Sequence, residues 1–226
     1  YTSSSHMLAA FMQMNAYGNW NLQGSDAGLY DNSEVHAIRI LAMEPATSPV
    51  SDRFYNFAQE RLRILGEFPV RKFGSTADGR QPLDPDGNPD TSFLAKIPAD
   101  TAFTFQTLDK DGMVLNMAQT WHQLRPGEVR HNCGGCHSHS QQPTLFSETA
   151  AAQPDYDLWD LTAKTPLLAS KARDETGKRW DQEDETGVRF ASSAHNVEYW
   201  RDVRPILNRS CIACHTKDSD EPAGDL

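Results

Sequence analysis

The stretch "KIPADTAFTFQTLDKDGMVLNMAQTWHQLRPGEVRHNCGGCH", residues 96–137, indicates the fold. Its first half alternates apolar and polar residues, with Phe103 and Phe105 two positions apart, which is typical of a half-buried strand. The sequences "DKDG" and "RPGE" are turn signals. The stretch then ends on two cysteines and a histidine. The stretch therefore predicts β-strands that lead directly into a motif of cysteine and histidine side chains, which can bind a metal ion or a cofactor.

Further strand candidates lie upstream of this stretch. They are "EVHAIRILAM" (34–43), "RILGEFPVRK" (63–72) and "FLAKI" (93–97), with the turn-rich "DPDGNPDTS" (84–92) before the last. Between the first two, "RFYNFAQERL" (53–62) predicts a helical turn. We predict a mixed fold, in which an all-β, sandwich-like module is followed by irregular and α-helical segments.

Four segments follow from this pattern. Residues 1–29 are expected to be an N-terminal helix and loop at the end of a preceding domain, and 30–140 the β-rich module with the first site. Residues 141–190 contain three prolines and the charged run "KARDETGKRWDQEDETG", so we interpret them as an irregular linker with a solvated loop. Residues 191–226 are expected to be a truncated segment with the second site, in which Pro205 predicts a kink or break of the helix "NVEYWRDVRPIL".

Composition narrows the class of partner. The 226 residues carry a net charge of −10, which argues against nucleic acid as the main partner because phosphate binding needs a basic face. No apolar run approaches the roughly 20 residues that span a bilayer, so no transmembrane segment is predicted in this chain.

The four cysteines fall into two copies of one pattern, CGGCH and CIACH. Cys-x-x-Cys-His is the attachment signal of c-type haem. Two thiols add to the two vinyl groups of one porphyrin, and the histidine that follows supplies an imidazole to the iron. The sequence therefore predicts two covalent haems c, attached through Cys133 with Cys136 and Cys211 with Cys214, with His137 and His215 as proximal iron ligands.

Two alternatives remain open for these cysteines. Four thiolates in two CxxC pairs suit a structural zinc ion, although the pairs are far apart and a zinc ribbon has no use for the following histidines. Redox dithiols are the other, although neither CxxC lies at a strand–helix junction. Because covalent haem attachment takes place outside the cytoplasm, the haem interpretation predicts a periplasmic or extracellular protein.

The sixth iron ligands are less constrained by the sequence. His122, 11 residues before Cys133, is a candidate distal ligand of the first haem. His195, His6 and His36 are candidates for the second. His131 and His139 are expected to be propionate contacts or surface residues. Thioether ligands are a minority alternative, with Met113, Met117 and the group Met7, Met12 and Met14 as the candidates.

Residues 96–137 resemble the middle domain of the hydrazine synthase alpha-subunit family, in which a β-rich module delivers the chain into a CxxCH motif. The stretch "EYWRDVRPILNRSCIACH" (198–215) resembles planctomycete-type cytochrome c-like domains. This resemblance implies that the irregular and α-helical haem segments are cytochrome c-like, and that residues 191–226 are a truncated cytochrome c-like segment. The hydrazine synthase resemblance implies a preceding propeller and a catalytic first haem. It also implies that a tyrosine four residues after the proximal histidine is a weak ligand of the iron on its open side. Gln141 stands at that position here and is a poor iron ligand, which implies ligation from elsewhere or an open site of another kind.

Three functions are compatible with these features. The sequence favours a dihaem cytochrome that transfers electrons to redox partner proteins within a larger multihaem protein or complex, and thus a carrier over a catalytic subunit. The alternative is a haem enzyme acting on small nitrogen or oxygen species, for which His131, His139 and Glu128 are candidate acids or bases. The third is a structural or assembly module of a cytochrome complex.

Overall fold

The computed structural model describes residues 34–44, 61–74, 76, 78–85, 87–117, 121–131, 145–194, 197–212 and 215. The chain divides into two compact units. Of the described residues, the first unit holds 34–43 and those between 64 and 194, and the second holds Glu44, 61–63 and those from 197 onward. Eight strands are present in this part of the chain: β1 Ala37–Glu44, β2 Arg61–Pro69, β3 Ala95–Lys96, β4 Phe103–Leu108, β5 Val114–Met117, β6 Trp159–Asp160, β7 Thr165–Ser170 and β8 Thr186–Ala191.

The largest sheet has the strand order β2-β1-β4-β5. Strands β1 and β4 run antiparallel with Ile40 opposite Phe105. Phe103 and Phe105 are both buried in β4, but Thr104 and Thr107 are buried as well, so this strand is covered on both faces and is not half-buried as predicted. The "DKDG" turn joins β4 to β5, and Gly112 adopts a φ of +78° there, a conformation that favours glycine.

Two smaller sheets complete the strands. Strands β3 and β6 pair in parallel, and β7 and β8 form an antiparallel hairpin with Leu168 opposite Val188. All three sheets contribute to one apolar core. Phe68 of β2 stacks on Trp159 of β6 with ring centroids 4.9 Å apart, and Trp180 lies 5.6 Å from Trp159. The hairpin supplies Val188, which is fully buried in the same cluster.

The described part of residues 141–190 therefore differs from the predicted irregular linker. It contains β6, β7 and β8, and it belongs to the first unit. The physical reason is that three of its large side chains, Trp159, Leu161 and Trp180, are buried in the shared core. The sequence pattern does not reveal these strands, because β6 and β8 each place one residue in that core, Trp159 and Val188, and β7 places none.

The charged run within this segment also differs from the predicted solvated loop. Asp181 is buried and accepts hydrogen bonds from the backbone N–H groups of Glu185 and Thr186, at 3.0 and 2.6 Å. Asp174 accepts from Gly177 N–H and Val188 N–H, both at 2.8 Å. These carboxylates satisfy turn and strand donors, which is a structural use of charge that composition does not reveal.

The helical turn predicted over 53–62 is corrected at its end. Arg61 and Leu62 are the first residues of strand β2, and the remainder lies outside the described residues. Strand β2 lies beside β1 at the edge of the four-stranded sheet, and Arg61 and Leu62 are part of it. At the far end of the pair Val70 N–H donates to the His36 carbonyl at 2.9 Å, and at the near end Arg63 pairs with Glu44 at 2.5 Å.

The described helical part of the second unit is one continuous right-handed run with a change of pitch. A π-helical turn, Tyr199–Val203, passes directly into an α-helix, α1, Arg204–Ser210. Pro205 lies in the first turn of α1, where the missing N–H costs little. The predicted break at this proline is thus a switch from π- to α-helical winding. Glu198 caps the run by accepting from Trp200 N–H and Arg201 N–H, at 3.1 and 2.6 Å.

In outline the protein is β-rich with few helical residues, as the sequence predicts, and the strands are consistent with a sandwich-like module. The cytochrome c-like character of 191–226 and the domain boundaries at 29/30, 140/141 and 190/191 stay predictions.

Candidate functional site: the approaches to two haem motifs

His122 lies on the chain that leads toward the first motif. Its backbone N–H donates to the Phe103 carbonyl and its carbonyl accepts from Phe103 N–H, both at 2.8 Å. Its ring stacks on Phe105, with centroids 5.7 Å apart and planes 10° apart. The imidazole is therefore packed against the aromatic side chains of β4. Its predicted role as a distal iron ligand stays a prediction.

The chain is held in place from His122 to the motif. Leu124 is buried, and its carbonyl accepts a hydrogen bond from Asp100 N–H at 2.8 Å. The predicted "RPGE" turn is present, with Glu128 N–H donating to the Arg125 carbonyl at 3.0 Å. The module thus fixes the chain to within a few residues of Cys133.

Glu128, a candidate acid or base, is held as a carboxylate. It accepts Arg125 N–H at 2.9 Å and forms an ion pair with the Arg130 guanidinium. These hydrogen bonds, first from the Arg125 backbone and then from the Arg130 side chain, lower the pKa of Glu128. A carboxyl group with a lowered pKa is ionised near neutral pH, which makes Glu128 a weak proton donor.

Two described residues that flank segment 132–144 lie side by side. The imidazole of His131 stacks on the ring of Phe146, with centroids 5.3 Å apart and planes 18° apart. Segment 132–144 carries Cys133, Cys136 and His137. Segment 132–144 is therefore flanked by two rings that are in contact, and we call the pair His131 and Phe146 the neck.

The return side of the neck is fastened to the module by side chains that follow the 84–89 turn. Ala150 N–H donates to Asp90 Oδ2 at 2.7 Å, and Ala151 N–H donates to Ser92 Oγ at 3.0 Å. Ser92 in turn donates to Asp90 Oδ1. Two consecutive amides after the neck are thus tied to one short stretch of the module.

Beneath this attachment lies a buried ion pair between Lys72 and Asp90. Lys72 Nζ donates to the carbonyls of Val70 and Asp90 at 2.8 and 2.7 Å and to Asp90 Oδ1 at 3.1 Å. Burial lowers the pKa of Lys72 to about 8, against the opposing effect of Asp90. Burial works to raise the pKa of Asp90, but the Lys72 charge and hydrogen bonds from Ser92 and Ala150 lower it overall. Three acceptors match the three donors of the ammonium group, so this lysine is a structural group.

Many predicted site residues lie outside the described part of the chain, and their roles stay predictions. They are Cys133, Cys136, His137, Cys214, His195 and His6, together with His139, Gln141, Met7, Met12 and Met14. The thiolate geometry that would separate haem from zinc therefore remains a matter of prediction. Among the described residues, no group of three or more His, Cys, Asp and Glu side chains is placed to hold a metal ion.

Three other candidate ligands are described. His36 precedes β1, where its N–H donates to the Leu108 carbonyl at 2.9 Å, and its pKa is lowered by burial and by Arg71. Met113 is exposed in the β4–β5 turn. Met117 lies in β5, where its sulfur accepts a hydrogen bond from Gln106 at 3.5 Å.

The second motif is described at its first and last residues. Cys211 N–H donates to the Leu207 carbonyl at 2.8 Å, and His215 N–H donates to the Cys211 carbonyl at 3.1 Å. This bond spans four residues, as in a helical turn, so it brings Cys211 and His215 to one side of the chain. The half-buried Cys211 is in no disulfide with a described residue. This arrangement fits a haem, which needs the first thiol and the imidazole on the same side.

Apolar side chains around this motif are exposed. The π-helical turn and α1 contain no buried residue although they include Trp200 and Leu207. Tyr199 is 46% exposed and Ile206 51%. A helix with an apolar face normally buries that face. The second unit therefore offers apolar surface that a large flat ligand such as a porphyrin would cover.

A cleft of about 810 Å³ in the first unit was not predicted from the sequence. Its walls come from residues of the 69–90 stretch, from the 148–160 segment and from the β7–β8 hairpin with its connecting loop. Trp159, Trp180 and Tyr156 line it, with Asp157 and Lys178 among the charged lining residues. Burial raises the pKa of Tyr156. Tryptophans within an otherwise polar segment were the one signal that could have indicated it.

Residues 33–138 match the family model of the hydrazine synthase alpha subunit middle domain. A curated relative, the hydrazine synthase subunit alpha of Kuenenia stuttgartiensis, is 27% identical in an alignment 221 positions long that covers 84% of this chain. The chain spans about a quarter of that relative, 26% of its length. A solved structure of Kuenenia stuttgartiensis hydrazine synthase covers 86% of this chain and 27% of its own, with 17% identity and a TM-score of 0.42.

The hydrazine synthase-type segment contains β1 to β5 and ends one residue after His137. It therefore includes the module, the neck residue His131 and the whole first CxxCH motif. The expected resemblance is confirmed for this middle domain. None of the helices in the described part of the chain has the length and apolar character of a membrane span.

Proposed function

We propose that this chain is a haem c protein that acts on small nitrogen species at its first motif. The observation that carries the proposal is the match of residues 33–138 to the hydrazine synthase alpha subunit middle domain, because the matched segment includes the complete CGGCH motif. The relative that the chain matches is named as a subunit, which supports a place in a larger assembly. The sequence alone favours the electron-transfer role and gives this function as the alternative.

The residues assigned to the two haems are those of the CxxCH motifs. Cys133 with Cys136 and Cys211 with Cys214 would form the thioether bonds, and His137 and His215 would be the proximal ligands. The hydrogen bond between His215 N–H and the Cys211 carbonyl supports this assignment at the second motif. When bound, haem supplies a redox-active iron whose free coordination position can take a small molecule.

The chain's own residues position the first motif. The His131–Phe146 stack and the attachment of Ala150 to Asp90 hold the residues on either side of segment 132–144 on the module. Such a module limits the positions that a haem attached to Cys133 and Cys136 can take. Glu128 stays ionised, so His131 is the better described candidate for proton transfer near this site.

A second function has one specific observation in its favour. Gln141 stands where the family resemblance implies a tyrosine, and an amide is a poor iron ligand. A haem whose sixth position is filled by a histidine would transfer electrons without binding substrate. We propose this dihaem electron-transfer role as the second candidate, with redox proteins as partners. In both cases the proposed location is periplasmic or extracellular.

Ligation state separates the two candidates. The intact mass should first exceed the polypeptide mass by two haem groups; bound zinc without added haem mass would overturn both. Variants Cys211→Ala/Cys214→Ala and Cys133→Ala/Cys136→Ala then isolate each haem for absorption and electron paramagnetic resonance spectroscopy. We expect a high-spin first haem that binds carbon monoxide and nitric oxide, and a low-spin second haem. If both haems are low-spin and inert to these gases, the electron-transfer role replaces the proposed chemistry.

A further inference from the structure

Three cationic side chains lie over aromatic rings in and beside the cleft of the first unit. Lys178 Nζ lies 5.9 Å from the centre of the Trp180 ring, and Lys164 Nζ lies 5.5 Å from that of Phe190. The Arg179 guanidinium is 5.9 Å from the centre of the Phe73 ring. Aromatic faces attract cations through their quadrupole. The aromatic surfaces of this region therefore already bind positive charge supplied by the chain itself.

Lys178 is held by two groups that together suit an ammonium ion. Besides the Trp180 ring, its ammonium group contacts the carboxylate of Asp157, which comes from the opposite wall of the cleft. Both side chains reach solvent, since Lys178 is 44% and Asp157 75% exposed. An exposed ion pair of this kind is weak, so the lysine can be displaced by a competing cation.

We propose that the cleft binds a primary ammonium ion with an apolar stem, and that Lys178 occupies the ammonium position in the absence of that ligand. The volume of about 810 Å³ lies within the usual range of small-molecule sites. Pro69, Pro166 and Trp159 provide buried apolar walls for the stem. The lysine side chain is itself an ammonium group on an apolar stem, and it shows how such a ligand fits.

The charges around the cleft support a cation over an anion. Glu148 and Asp155 stand on the same wall as Asp157 and form no ion pair with another described residue. The basic residues are committed elsewhere. Lys72 uses its three donors on Val70 and Asp90. Arg179 donates to the carbonyls of Asp181 and Gln182. These carboxylates would repel an anionic ligand, which would also find few donors. The same carboxylates would attract a cation.

Calorimetric titration of the intact haem-loaded chain with n-hexylammonium tests the proposal. Replacing Lys178 by alanine removes the internal competitor, so the affinity for hexylammonium should rise by about tenfold. Replacing Asp157 by asparagine should lower it by a similar factor. Neutral n-hexanol, which has the same stem, should bind at least tenfold more weakly than hexylammonium to the Lys178→Ala protein.

The exposed pair Lys110 and Asp111 offers charge-matched controls outside the cleft. Lys110→Ala and Asp111→Asn change the net charge by the same amounts and should leave hexylammonium binding unchanged. The proposal is overturned if Lys178→Ala binds hexylammonium no more tightly than Lys110→Ala, or if hexanol binds as well as hexylammonium. The result does not depend on the reaction at the haems, so it stands apart from the proposed function.

Discussion

Ala150 donates its backbone N–H to the Asp90 carboxylate at 2.7 Å, although the two residues are 60 positions apart in the chain. The segment that carries the first CxxCH motif lies between them in sequence. Asp90 is 1% exposed and also holds Lys72 and Ser92. One buried carboxylate therefore joins the β-module to the chain that returns from the first motif.

Replacing Asp90 by alanine should destabilise the first unit strongly. The change leaves the Lys72 ammonium buried without its counter-ion and removes the acceptor of Ala150 N–H. Breaking one partner of a buried pair typically costs about 3–5 kcal/mol. Urea unfolding followed by circular dichroism measures the loss.

The double variant Lys72→Met/Asp90→Leu separates the two causes. It removes both charges, so it should recover much of the stability lost in Asp90→Ala. The exposed pair Lys110–Asp111 gives the comparison, because Asp111→Ala should change the free energy of unfolding by less than about 1 kcal/mol. A loss at Asp90 as small as that at Asp111 would contradict the assigned role.

The stability that Lys72 contributes should depend on pH above about 8. Burial lowers the pKa of Lys72 from 10.5 to about 8 in the folded protein. Between these values the unfolded chain binds more protons than the folded one, so stability gained from this group rises with pH. From pH 7 to pH 10, the difference in unfolding free energy between wild type and Lys72→Met should grow in favour of wild type by about 2 kcal/mol.

The comparison with Lys72→Met removes effects shared by both proteins. Burial raises the pKa of Tyr156. The stability that this tyrosine contributes therefore falls at high pH, and it does so equally in wild type and in Lys72→Met. Lys110→Met, at an exposed lysine, should show no such growth between pH 7 and pH 10. A constant or shrinking difference for Lys72→Met would mean that the ammonium group keeps its charge in the folded protein.

Gly187→Ala should destabilise the β7–β8 hairpin. A Cβ atom at this position would lie 2.6 Å from Asp174 Cβ and 2.7 Å from the Ser170 carbonyl oxygen. Forcing an atom into such a space costs roughly 1–3 kcal/mol. Thermal unfolding should show a clear decrease in Tm, whereas Arg189→Ala, at an exposed position of the same strand, should have little effect. If Gly187→Ala and Arg189→Ala lower Tm equally, the hairpin is not packed in this way, and the predicted irregular linker describes residues 141–190 better.

Local patterns were enough to predict the larger sheet. Alternation in β4 and β1 and the glycine of the "DKDG" turn specify those elements through near neighbours in the chain. The β7–β8 hairpin was not predicted, because the contacts that stabilise it join residues far apart in the sequence. Pro166 and the charged run between the strands argue for a loop. Only the distant partners of Trp159 and Trp180 show that the segment is part of the core.

The site divides in the same way. Each CxxCH motif consists of five consecutive residues, so the sequence alone predicts haem attachment there, and this assignment stays a prediction. The neck requires His131 to meet Phe146, and the cleft requires Asp157 to meet Lys178 across a loop. Neither pair has a sequence signature, because each depends on how two separated segments are placed by the same core.

Glu198→Ala should weaken the start of the helix that leads to the second motif. The buried carboxylate accepts from Trp200 N–H and Arg201 N–H, and Asp202 accepts in return from Glu198 N–H at 2.8 Å. Loss of such a cap costs about 0.5–2 kcal/mol. Amide hydrogen exchange at Arg201 should accelerate about tenfold. Glu198→Gln keeps an acceptor oxygen, so its exchange rate at Arg201 should lie between those of wild type and Glu198→Ala. Identical exchange rates in the Ala and Gln variants would mean that capping is not the function of this residue.

Phe146→Ala should open the neck of the first motif. The ring of Phe146 stacks on His131, which directly follows Arg130, a site for trypsin. Trypsin needs several residues of locally unfolded chain, so cleavage after Arg130 reports how firmly the neck is closed. Cleavage there should accelerate several-fold in Phe146→Ala, while cleavage after Lys110, in the exposed β4–β5 turn, should keep its rate. Leu145→Ala removes a neighbouring exposed apolar side chain and serves as the matched control. If both variants are cut after Arg130 at the wild-type rate, the aromatic stack does not hold the ends of the motif segment together, and the attachment of Ala150 to Asp90 must do so alone.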